Sequence, residues 1–143
     1  MKTIISAIIL ITSLLTLACS VIPQGVDPVK YRIREAQLNL ETIDKALPAA
    51  GFSVDDETRL HKLIAKLDAV LNSARDLSSS SALDQLQASL PVLQAIADQI
   101  SDPNAKKQAA RVIAVANVTI LVLQNQAELQ KEFPGDTVPV PAK

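Results

Sequence analysis

Few side chains in this chain could do chemistry. There is one thiol, Cys19, and one imidazole, His61. A single Cys excludes a disulfide framework and a thiolate metal cluster. A single His excludes a multi-histidine metal site and argues against acid–base catalysis. His61 stands between Leu60 and Lys62 with no Cys near it, so a solvated surface position is expected. Asp55-Asp56-Glu57 gather three carboxylates, but without the alternating oxygens and glycine of a calcium loop; their expected place is the positive end of a helix dipole. Ser78 to Ser81 form a run of hydroxyls with no base to activate them and no glycine elbow, which leaves turn and cap roles. Lys106, Lys107 and Arg111 make a small basic cluster, read as solvated surface. Three Gly supply no phosphate-cradling loop, and one Tyr with two Phe supply no base-stacking platform. Lys and Arg total 14 against 15 Asp and Glu, which removes the basic excess of a nucleic-acid binder. The expectation is a protein with no catalytic residue, no metal and no cofactor.

The thiol stands at a marked place. Residues 1–18 open with Lys2, and Ile4 to Leu17 form an apolar stretch broken only by Ser6, Thr12, Ser13 and Thr16. So short a stretch, ending in small residues, reads as an export signal rather than a membrane span. Its end, Leu15-Thr16-Leu17-Ala18-Cys19, resembles the lipobox of bacterial lipoproteins. That pattern prefers Leu three residues before the cysteine; here Thr16 holds that place and Leu15 sits one further back. The resemblance implies signal cleavage between Ala18 and Cys19 and a thioether-linked diacylglycerol on Cys19. It usually implies also a third acyl chain, such as palmitate, on the new amino group. Two or three acyl chains anchor stably where one does not. By the sorting pattern of such proteins in two-membrane bacteria, Ser20 implies the outer membrane, facing the periplasm.

The rest of the chain supplies elements rather than reagents. Residues 19–26 read as a lipidated tether, in which Pro23 and Gly25 prevent a continuing helix. Residues 27–133 read as one helical domain. Asp27 and Pro28 give an N-cap and a first helical position. Ile33, Ala36, Leu40, Ile43 and Leu47 then step by three and four, and Pro48 ends the run. Gly51-Phe52-Ser53 turns the chain, with Ser53 and Asp56 spaced as a capping box. Leu60, Leu63 or Ile64, Leu67, Val70 or Leu71, Ala74 and Leu77 mark a second buried face. Ser81 with Asp84 suggests the third start, followed by Leu83, Leu86, Leu90, Leu93, Ala97 and Ile100. Pro91 falls inside that helix, deletes one backbone bond and should bend it near Gln87–Pro91. Asp102-Pro103 starts a fourth helix that runs to Phe133, before Pro134-Gly135. Residues 134–143 read as a Pro-rich, extended or disordered tail. Four amphipathic helices joined by short turns predict an all-α, up-down four-helix bundle.

The fourth helix is too apolar for one face. From Ala109 to Leu123 only Arg111, Asn117 and Thr119 interrupt the run. One face uses Val112, Val115 or Ala116, Thr119, and Val122 or Leu123, which leaves Ile113, Ile120 and Leu121 over. Three readings stay open: unequal wrapping by the other helices, a face for a protein partner or for homo-oligomers, and membrane insertion. Fifteen residues with an Arg and an Asn among them are short and costly for a span.

Tyr31, Ser53-Val54-Asp55-Asp56 and Leu71-Asn72-Ser73-Ala74-Arg75-Asp76-Leu77 carry a second, looser resemblance. Together with the lipobox they are similar to small helical lipoproteins encoded by tailed phages and prophages. That resemblance covers residues 15–100 and brings no catalytic residues. It implies a non-catalytic protein of the host envelope, in lysis or in exclusion of other phages. Three functions therefore stand as expectations: a lipid-anchored binding or scaffold module, an outer-membrane lysis partner of the spanin kind, and a carrier of a lipid or other hydrophobic ligand in the bundle.

Overall fold

The computed structural model describes residues 22–133. The signal segment, Ala18 and Cys19 with the start of the tether, and the tail at 134–143 lie outside the described residues. Four α-helices follow one another: α1 (Pro28–Ala46), α2 (Val54–Ala74), α3 (Ser79–Asp98) and α4 (Pro103–Glu132), with a 3-10 turn at Pro48–Ala50 after α1. Among the described residues there is no strand. The molecule is an all-α helical bundle, as the apolar periodicity predicts.

Each helix begins on a side-chain cap. Lys30 N–H donates to Asp27 at 3.1 Å, Asp56 N–H to Ser53 at 3.2 Å, and Ala105 N–H to Asp102 at 2.8 Å. Such a cap contributes about 0.5–2 kcal/mol. The third start differs from the expectation. Ser78, not Ser81, is the cap, and its Oγ accepts from Ser81 N–H at 3.3 Å. The run of hydroxyls offers several caps, and the earliest one adds a turn that buries Ser79. The second helix correspondingly ends at Ala74, and Leu77, expected on its buried face, is 39% exposed. After Pro48–Ala50, Gly51 takes a left-handed φ of 71°, a conformation open to glycine, and turns the chain into α2. α3 continues through Pro91, which lies on its exposed side, as one helix.

Contacts between helices set an antiparallel register. Along α1 and α2, Lys30 pairs with Asp76 at 3.1 Å, Gln37 Nε2 donates to Asp68 and Asn72 at 3.0 and 2.8 Å, and Asp44 meets His61 at 2.6 Å. Gln85 Nε2 on α3 donates to Ser73 on α2 at 2.6 Å. The core is aliphatic: Ile33 and Leu40 from α1, Leu60, Leu63, Leu67 and Leu71 from α2, Leu86 and Leu93 from α3, Val112 and Leu123 from α4, all essentially sealed from solvent. On α3 the buried arc is wider than one seam. Ala82, Ser89 and Ile96 are buried, while Leu83 and Leu90 are half-buried.

α4 and α2 each pack against all three other helices, touching one another across the bundle. This answers the excess of apolar residues on α4. A helix with three neighbours buries a wider arc than a helix with two. Ala105, Ala109 and Ala116, all buried, keep that side of α4 slim. α4 is also the one described helix long and apolar enough to cross a membrane by length and composition. In the bundle about 33% of its most apolar stretch is buried against the other helices.

Candidate functional site

A groove of about 690 Å³ runs between α1 and α2, its polar rim made by Arg34, Gln37, Glu41, Asp44, His61, Asp68, Asn72 and Arg75. The α1–α2 register creates it. Wherever the two helices meet above the apolar seam, one long polar side chain reaches the other helix. Gln37 does so with a single amide that donates to both Asp68 and Asn72. Asn72 in turn donates to Asp68 Oδ2 at 3.1 Å.

His61 sits at one end of this groove. Its Nδ1 lies 2.6 Å from Asp44 Oδ1 on α1, and its Nε2 lies 3.5 Å from Glu57, one turn earlier on α2. The hydrogen bond to Asp44 raises the imidazole pKa above its ordinary value; slight burial opposes this, and the Asp44 and Glu57 charges add to it. The expectation of a merely solvated His61 is corrected accordingly. Its side chain is 43% exposed, and it bridges two helices. The Glu57–His61 spacing was legible as an i,i+4 pair, but Asp44 is 17 residues away and needs the register. Among the described residues no Ser, Thr, Cys or Tyr lines the groove. Among the described residues no group of three or more His, Cys, Asp or Glu is placed to hold a metal ion.

The acidic run divides its labour. Asp56 is buried, and its two oxygens accept from the backbone N–H groups of Ser101 and Asp102, each at 3.1 Å. Arg59 donates to it at 3.3 Å. The Ser101 bond, with the Asp102 bond and Arg59, holds this carboxyl below the usual range against the opposing effect of burial. Asp56 therefore ties the start of α2 to the turn before α4. All three acids stand in the first turn of α2, as expected, and Asp56 adds this cross-link to its place there.

The three residues set aside on α4 are separated by the structure. Ile120 is core, at 7% exposure; it faces inward because α4 has a third neighbour. Ile113 is half-buried against the core and lines a second groove, of about 360 Å³ between α3 and α4, with Lys106, Ala109, Ala110 and Asn117. Leu121 alone points out, at 57% exposure. The three thus stand at three depths, Ile120 buried, Ile113 half-buried and Leu121 exposed. Lys106 and Lys107 are exposed, and Arg111 is half-buried with its guanidinium donating to Gln108 at 3.2 Å.

Sequence reasoning placed the end of α4 at Phe133 but did not single out the apolar side chains it carries there. Leu129 and Phe133 are each 56% exposed, beyond the last buried residue, Leu123. The signal was helix length. α4 has 30 residues where α1, α2 and α3 have 19, 21 and 20. The chain matches no family model, no curated protein and no solved structure.

Proposed function

We propose that this protein is a non-catalytic, lipid-anchored helical binding or scaffold module of the bacterial envelope. The anchor is Cys19, after signal cleavage at Ala18, and Ser20 favours the outer membrane, facing the periplasm. The observation that carries the reading is the sequence Leu15-Thr16-Leu17-Ala18-Cys19, ending a short apolar leader on the chain's sole Cys. The groove favours the non-catalytic part, because Gln37, Asp44, His61, Asp68 and Asn72 on its rim are engaged in joining α1 to α2. The looser likeness to phage lipoproteins favours work in the host envelope, in exclusion of other phages or in lysis.

The test is incorporation of labelled fatty acid in a bacterial host. The natural chain should be labelled, and Cys19→Ser should lose all label while keeping its helical circular dichroism. Label retained by Cys19→Ser overturns the anchor.

A further inference from the structure

We propose that the free end of α4 rests on the bilayer to which the chain is anchored, with Leu129 and Phe133 seated in its headgroup layer. This rests on the anchor reading above and adds a second, non-covalent contact to it.

The topology puts the right parts together. Asp56 joins the start of α2 to the start of α4, so α4 ends at the opposite pole of the bundle. Lys30 and Asp76, 3.1 Å apart, show that this opposite pole is also where α1 begins. The chain thus enters the fold from Cys19 at the end where α4 leaves it. Seven residues separate Cys19 from Asp27, and the eight steps between the two Cα atoms span no more than about 28 Å fully extended. The bundle is held to the membrane by this pole, and at short range.

The pole is shaped for such a neighbour. The ten residues after Leu123 carry the chain about 15 Å further along the α4 axis. From Glu128 to Phe133 every residue is exposed. Leu129 and Phe133 stand one turn apart on the same side, and Val26 and Leu77 are exposed at the same pole, at 42% and 39%. Exposed Leu and Phe side chains held against a bilayer settle at the boundary of headgroups and acyl chains. Charge does not direct the contact, because Lys131 is flanked by Glu128 and Glu132. The occupant inferred is therefore a zwitterionic lipid surface, met through apolar side chains.

The chain contains no Trp, so one introduced indole reports alone. The mature chain from Cys19 onward, acylated at Cys19 and carrying Phe133→Trp, is reconstituted into phosphatidylcholine vesicles containing brominated lipid. Leu129→Trp serves as a second reporter. Val54→Trp, at the other pole and at a position 79% exposed, serves as the control. Quenching at positions 133 and 129 at least twofold stronger than at 54 is the expected result. Equal quenching at all three positions in a labelled, acylated chain overturns the membrane contact and leaves the anchor standing. An indole at 133 that is shielded before lipid is added, in protein with the mass of a dimer by light scattering, overturns it in favour of a second copy. A chain that takes up no fatty acid overturns the anchor, and this proposal with it.

Discussion

The two poles of the bundle are built on opposite principles. At one, the α1–α2 and α3–α4 connections lie side by side. Leu47 and Ile100 plug the core there, each 1% exposed, and Asp56 satisfies two backbone amides of the neighbouring connection. At the other, the chain enters, α2 turns into α3 on a run of serines, and α4 overshoots with Leu129 and Phe133 in the open. The closed pole spends Leu47, Ile100 and Asp56 on itself and leaves a single valine, Val54, in the open among its large aliphatics. The open pole keeps apolar groups outside at the end where the tether arrives. Residue type alone therefore does not separate core from contact surface. Ile100 and Leu129 are both large aliphatics, and they differ in what the topology stacks over them. Helix length is the first sign of that difference.

The largest effect that tests this contrast is truncation at the closed pole. Ile100→Ala should cost about 2–5 kcal/mol, the range for emptying a sealed aliphatic site. Leu129→Ala should fall within about 0.5 kcal/mol, as an exposed substitution does. Urea unfolding followed by circular dichroism measures both. A loss at Leu129 as large as that at Ile100 would show that the overhang belongs to the fold and would erase the distinction between poles.

A smaller loss is expected from Asp56→Asn. The amide keeps the shape but sets its own N–H donors against those of Ser101 or Asp102. The native carboxyl is held below its ordinary pKa, so its contribution is present above the usual carboxylate range. That contribution disappears as pH falls through the depressed native value. The two proteins should therefore differ clearly at neutral pH and converge in strong acid. A gap that stays constant with pH would mean that the carboxylate charge is not what holds the two connections together.

Much of the fold was legible because helix starts are local chemistry. Asp27-Pro28, Ser53 and Asp102-Pro103 act as caps where their sequence says they should. Of the α1 seam, Ile33, Ala36, Leu40 and Leu47 are buried as the spacing predicts, and Ile43 is half-buried against the core. Where several caps compete, as at Ser78 to Ser81, local reasoning chose the wrong hydroxyl. The site-forming features were less legible because they are long-range. Asp56 reaches residues 45 and 46 positions away, and Asp44 reaches His61 over 17. Ile120 and Leu121 are adjacent and alike, yet one is core and the other is not, because a third helix covers one side of α4. No periodicity along α4 encodes the position of that third helix.

The smallest expected effect is the most specific, and it belongs to the closed half of the α1–α2 groove. His61 gains Asp44 as a partner on folding, so its native pKa lies above that of the unfolded chain. A group raised in this way stabilises the fold fully below its unfolded value, near 6.5, and loses that contribution as pH rises through the native value. Both side chains are more than two-fifths exposed, so solvent screens the pair and its worth stays below about 1 kcal/mol. Stability should therefore slope gently downward from weakly acidic to weakly alkaline pH. His61→Gln should flatten that slope, and Asp44→Asn should bring the imidazole back toward its ordinary titration, read from its proton NMR shifts. Neither variant should alter quenching of an indole at position 133, because the groove end that His61 occupies is remote from the overhang. An unchanged imidazole titration in Asp44→Asn would remove the α1–α2 clamp from the closed pole, leaving Asp56 as its polar tie between connections.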